Sequence, residues 1–172
     1  MEAGTFVPIH LAWSDVATRF TAAFLLSFAL GMERFIHKRP IDFRPFIIIA
    51  LASCALMIGI MELPFRVDDE QISIDPAKVV SGIMTGIGFL GAGALFHEKK
   101  NVQGTGSASA IWGAGVIGIV CGLGLIWLGL LLAISVTAIL ALSRPFTEEY
   151  AAKSKRDDDR GDDDHPDSKP AG

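Results

Sequence analysis

The residue types that could do chemistry in this sequence lie at the edges of long apolar runs. Glu33 and Arg34 set a carboxylate beside a guanidinium at the end of one run, and Arg44 follows in the next polar segment. Gly86, Gly88 and Gly91 spell GxGxxG, with Gly93 just beyond. That pattern holds a dinucleotide only when a strand precedes it, a helix opens at it and an acid lies about 20 residues on. Here the glycines sit inside an apolar run and the region near Ile111 offers no acid, so they read as helix-packing residues and no nucleotide is expected. Asp68, Asp69, Glu70 and Asp75 carry oxygens of the kind magnesium takes in near-octahedral geometry. The same run also reads as a solvated connection, and Asp75, three residues before Lys78, as a helix cap, so a weak ion site and a structural role both stay open. His37 and His97 have no metal-ligand spacing, and no other metal or cofactor is assigned. No nucleophile, base and orienting group fall within plausible reach of one another, so the chain is not expected to be an enzyme.

The elements that must position these residues follow from where the apolar residues fall. Of 172 residues, 51% are hydrophobic and 18 are glycine. Charges are nearly absent from residues 20–32, 46–61, 79–96 and 107–142, and crowd the segments between. A bilayer core about 30 Å thick takes roughly 20 apolar helical residues. The first three blocks each suit one span, and the last suits two, with a turn at Gly122-Leu123-Gly124. The expectation is an all-α, polytopic transmembrane helical bundle with spans near 16–32, 45–62, 77–96, 107–122 and 125–142. Residues 1–146 make up the membrane domain, and 147–172 a charged, acidic tail too polar to order itself. Net charge is −4 and uneven, which excludes the basic face of a nucleic-acid binder.

Lys and Arg concentrate after span 1, after span 3 and in the tail. Excess positive charge marks the cytoplasmic side, so the N-terminus is expected outside and the C-terminus inside. Arg19 departs from this pattern and reads as snorkelling to headgroups with Asp15 as partner. Pro45 suits a first helical turn in span 2, and Asp75-Pro76 a cap and first position for span 3. Ala110, Ala114, Gly118 and Gly122 form a small-residue stripe, so spans 3 and 4 are expected to be the packed centre. Cys54 and Cys121 read as small buried hydrophobes. With this orientation Glu33, Arg34, Arg44, the end of span 3 and the segment from Gln103 to Ser109 meet near the inner leaflet. Thr105 or Ser107 can cap span 4. Glu33 either docks at that helix start, braced by Arg34 or Arg44, or simply reaches headgroup water.

The stretch from Asp75 through Lys78 to Gly82, the run GIGFLGAG at 86–93, Val102-Gln103-Gly104 and Ala108 to Trp112, with Glu33-Arg34 upstream, resembles the MgtC/SapB membrane domain. The likeness runs from about Gly31 to Gly124. Where that family has Gly-Leu-Arg-Thr, this chain has Asp42-Phe43-Arg44-Pro45, so only the arginine carries over. Where it has Gly-Leu-Thr-Thr-Ala-Ala, this chain has residues 104–109 as Gly-Thr-Gly-Ser-Ala-Ser, and the ACT-like domain of longer members has no counterpart. The resemblance implies a multi-pass protein of the bacterial inner membrane, linked to growth in low magnesium and, in pathogens, to survival inside host cells. It also implies Trp112 as part of an inner-face site, against a plain packing anchor. Two functions remain in play: a non-enzymatic regulator that binds other inner-membrane proteins or itself, and a magnesium or other cation transporter. The absence of an acid at any expected midplane favours the first.

Overall fold

The computed structural model describes residues 7–36, 42–65, 74–93, 95–98, 101–103 and 105–143, with backbone alone for 96–98 and 101–103. Two compact units divide the chain, Met1–Thr137 and Ala138–Gly172. The expected acidic tail lies outside the described residues, as do Asp68, Asp69, Glu70 and His37.

Among the described residues there are five helices: α1 (Trp13–Ile36), α2 (Arg44–Glu62), α3 (Pro76–Gly93), α4 (Thr105–Gly122) and α5 (Ile126–Leu142). Each coincides with one of the five apolar stretches of the sequence. Of these, α1, α2 with its 3-10 extension to Phe65, and α4 are long and apolar enough to cross a bilayer, while α5 is a shorter apolar helix. α1, at 24 residues, is about 36 Å long. Asp15 sits in its first turn and Arg34 in its last, each matched to the helix dipole. Pro45 lies in the first turn of α2. At α3, Asp75 Oδ1 accepts the Ala77 N–H at 2.9 Å ahead of the helix.

One element was not expected. Helix α3 stops at Gly93, and an antiparallel hairpin of two three-residue strands follows, β1 (Phe96–Glu98) and β2 (Asn101–Gln103), with His97 opposite Val102. The five glycines of α3 weaken its end, because each costs about 1 kcal/mol relative to alanine in a helix.

Close contacts fix how the helices run. Arg19 on α1 meets Gly122 on α4, and Gly31 near the end of α1 lies against Phe43 ahead of α2. Gly118 and Gly122 lie against Ala50 and Cys54 on α2, so α2 and α4 are parallel and α1 is antiparallel to both. Gly91 faces Ala108 and Gly115 faces Ile87, which makes α3 antiparallel to α4. Gly113 faces Val136 and Gly129 faces Cys121, so the Ile126–Thr137 part of α5 is antiparallel to α4 as well. Consecutive helices therefore run in alternating directions.

The packed centre is α4 against α2 and α1, not α3 against α4. Twelve of the 18 residues of α4 are buried, the state expected of a helix that is apolar on all sides. A Cβ on Gly118 would collide with the Ala50 carbonyl oxygen, and one on Gly122 would lie 2.7 Å from Met57 Cβ. α3 buries only Ile87 and Gly91. Gly82, Gly86, Gly88 and Gly93 would meet nothing within 4 Å, so the expectation that Gly86 sits in a backbone contact is overturned.

Two charged side chains serve the backbone at one end of the bundle. Gly124, at φ 84°, turns α4 into α5, with Leu125 N–H bonded to Val120 O at 2.8 Å and Gly124 N–H to Cys121 O at 2.9 Å, a Schellman closure. Arg19 then donates from Nη1 to the Gly122 carbonyl at 2.6 Å. Its expected pairing with Asp15 is replaced by this cap, since a C-terminal carbonyl in a poorly hydrated place needs a donor. At the end of α2 the buried carboxylate of Glu62 accepts the N–H groups of Ile9 at 2.8 Å, His10 at 3.1 Å and Leu11 at 2.7 Å. The His10 ring stacks on Phe65 at 4.2 Å.

Gly118→Leu is expected to cost at least about 1–3 kcal/mol, because backbone rather than a yielding side chain blocks the new atoms. Gly86→Leu is expected to leave the melting temperature in detergent within error of the wild type. Equal shifts for the two variants in a thermal melt would contradict this packing. Glu62→Gln removes the charge that three N–H groups share. It should cost about 1–3 kcal/mol and speed amide exchange at Ile9 to Leu11 ahead of the rest of α1.

Candidate functional site

The antiparallel pairing of α1 with α4 puts the polar residues of the sequence at defined heights. Arg19 contacts Gly122, and Glu33 lies 14 residues beyond Arg19, just as Ala108 lies 14 residues before Gly122. At about 1.5 Å per residue both are about 21 Å from that contact, so Glu33 and Arg34 stand level with the first turn of α4. The same end receives the start of α2, with Arg44, and the end of α3, with Gly91 and Gly93. Asp75 and Lys78 begin α3 at the opposite end, with Glu62 and Arg19, and both are exposed.

Within the cluster, Arg34 is 6% exposed, and its Nη1 donates to Glu33 Oε2 at 3.5 Å. The two side chains are 7% and 8% exposed. Burying adjacent charges is costly unless each is well paired, so this is a built feature of the end of α1. Arg44 takes another course. Its Nε pairs with Asp42 at 3.2 Å with the side chain 76% exposed, so of the two bracing arginines considered the contact goes to Arg34.

The α4 side offers Thr105 at its first position, its carbonyl taking the Ser109 hydroxyl at 2.9 Å, and Ser107, which is buried. Gln103 lies on β2, one residue ahead of the undescribed Gly104, and its side chain, like that of His97, is outside the described residues.

Beside this first turn a groove of about 410 Å³ opens between α3 and α4. Gly88 and Gly91 form one wall, Ala108, Ser109 and Trp112 the other, and Leu95 lies at its end. Trp112 is half exposed along it. Gly91 allows the close approach, with a Cβ placed 3.6 Å from Ala108 O. Gly86 and Gly93 are not among the lining residues. The structure thus gathers Glu33, Arg34, Ser107, Gly88, Gly91 and Trp112 at one end and leaves Arg44 at its rim.

No group of three or more His, Cys, Asp or Glu side chains among the described residues could hold a metal ion. Neither the Glu62 carboxylate nor the Arg19 cap was legible in the sequence. The only available signal was a single charge placed at the end or in the first turns of an apolar helix, which otherwise reads as interfacial.

The profile of the MgtC family matches residues 20–149. The chain is 33% identical over 145 residues to Protein MgtC of Brucella abortus (strain 2308), covering 83% of this chain and 57% of that protein. It is 29% identical over 119 residues to Protein SapB of Bacillus subtilis (strain 168), covering 66% and 51%. It is 28% identical over 136 residues to YhiD of Escherichia coli (strain K12), whose name proposes a magnesium transporter, covering 78% and 63%. The chain therefore spans between about half and two thirds of the length of these relatives. No solved structure matches it. With a family profile over most of its length and apolar helices long enough to cross a bilayer, this is a membrane protein, and it belongs to the MgtC family.

Proposed function

We propose that this chain is a non-enzymatic protein of the bacterial inner membrane that supports adaptation to low magnesium, and survival inside host cells where its source is a pathogen, by acting on other membrane proteins. The observation that carries the reading is the buried Glu33–Arg34 pair, level with the start of α4, at the same end of the bundle as an apolar groove between α3 and α4 with Trp112 on its wall. A charged pair kept out of water at a helix end contributes little net stability. Its retention fits a docking point, where a partner's helix fills the groove and its polar end meets the pair. Small residues along the α3 wall permit that close approach.

Transport is the second reading, suggested by the name of the YhiD relative. It draws on a break in the glycine-rich span that would free carbonyls for a cation. Helix α3 is continuous from Pro76 to Gly93, through all of Gly86, Gly88 and Gly91, which weighs against such a break. Glu33 and Glu62 lie in the last turn or at the end of their helices.

Glu33→Gln keeps size and hydrogen-bonding reach but removes the negative charge beside the buried Arg34 guanidinium, at a cost on the order of 1–3 kcal/mol. Growth support in low magnesium should fail while protein level and membrane insertion persist, and Arg34→Met in the same chain should restore it. Full complementation by Glu33→Gln alone would end the role of the pair. Cation flux in proteoliposomes carrying the purified protein, abolished by the same variant, would transfer the case to transport.

A further inference from the structure

One face of α3 is left bare by the other described residues, and its composition specifies what covers it. Asp75, Lys78, Gly82, Gly86, Phe89 and Gly93 follow one another at steps of three or four residues, so they lie within about 40° of one line along the helix. Ile87 and Gly91, the residues that α4 and its neighbours cover, fall on the opposite side. Phe89 is 81% exposed, the highest value among the large apolar side chains described. Gly82, Gly86 and Gly93 face open space.

Lipid would cover such a face without needing glycine. Gly82 and Gly86, both in the helix interior, cost it about 1 kcal/mol each relative to alanine, and no contact with another described residue offsets this. Glycine four residues from glycine lets two helix backbones touch in a bilayer. The rest of the face selects the partner. Phe89 is a knob, and Gly86 and Gly93, three and four residues away on the same line, are the hollows that a knob of that size fills. Asp75 and Lys78 are an acid and a base on that line, both exposed, and among the described residues neither forms an ion pair. The cap to Ala77 uses Asp75 Oδ1 and leaves Oδ2 available. A surface that carries both knob and hollow, and both charges, is complementary to itself under a two-fold axis.

We propose that α3 pairs with α3 of a second copy of this chain, parallel and two-fold related, crossing at Gly82 and Gly86. Phe89 of each copy seats over the glycines of the other, and Asp75 of each pairs with Lys78 of the other. The axial offset of three residues, about 4.5 Å, is within the reach of a lysine side chain. The dimer lies on the face of α3 opposite the groove with Trp112, so it leaves that groove open and holds whether or not the Glu33–Arg34 pair acts on another protein.

Oxidative cross-linking of the full chain in native membranes tests this. Gly82→Cys should give an adduct of twice the chain mass containing only this chain. Leu25→Cys, on an exposed position of α1, should not, and neither should the wild type, whose Cys54 and Cys121 are buried. Adding Gly86→Leu to Gly82→Cys should abolish the adduct while the melting temperature holds, which separates loss of pairing from loss of fold. Asp75→Asn keeps an oxygen for the Ala77 N–H and removes the charge, and should lower the dimer fraction equilibrium about 2- to 5-fold. A Gly82→Cys chain that stays monomeric, that links only to a different protein, or that links equally well with Gly86→Leu would overturn the proposal.

Discussion

The structure depends on the direct seating of α4 on the backbone of α2. In a bilayer the solvent is as apolar as the side chains, so helices gain from contact only where atoms come close over a long stretch. Gly118 and Gly122 provide this by removing the side chain where Ala50, Cys54 and Met57 pass. Once that contact is made, Ala110, Ala114 and Ile117 are also sealed from the surroundings, and α1 closes over the same pair of helices with Ala23, Ser27 and Leu30 buried. The buried thiols of Cys54 and Cys121 fall in this seam as small apolar residues.

Close packing leaves the helix ends as the remaining problem, because an unpaired N–H or C=O there lacks water to turn to. The end opposite Glu33 solves it with two long-range contacts of opposite sign. Arg19 supplies donors to the end of α4, from 103 residues away in sequence. Glu62 supplies an acceptor to three consecutive N–H groups ahead of α1, from 51 to 53 residues away. Each ties α1 to a different helix, so the position of α1 is set by polar groups at that end and by Gly31 against Phe43 at the other.

How far the sequence could be read follows from the range of each interaction. Helix number and approximate ends are local properties of apolar run length, so the span expected at 107–122 and the helix at Thr105–Gly122 agree closely. The turn at Gly124 was legible because a positive φ asks for glycine. The hairpin at 96–103 was not, because three-residue strands are too short to show a period of two. The site was legible as a set of residues near one membrane face. The sequence could not say that Arg44 would turn to Asp42 and stay exposed while Arg34 went inward, since that depends on which side of each helix meets its neighbour. The same limit applied to glycine. A small-residue pattern marks a face fit for close approach, and only the three-dimensional arrangement shows that Gly118 is covered and Gly86 bare.

That division of the glycines bears on how the molecule is organised for function. The glycines of α4 that meet α2 are used up in holding this chain together, and substitution there acts on folding. Those of α3, apart from Gly91, meet no other described residue closely. A helix loses conformational stability with each glycine it carries, so α3 keeps a cost that its own fold does not recover. It touches α4 mainly through Ile87 and Gly91, on one side. The other side is bare, and the groove with Trp112 opens along its flank. Of the five helices, α3 is therefore the one whose sequence is least explained by the stability of the isolated chain. The Glu33–Arg34 pair is likewise costly to bury, two adjacent charges held away from water at the end of α1. Both features stand at the edge of the α2–α4 core. They are what the rigid core is able to present.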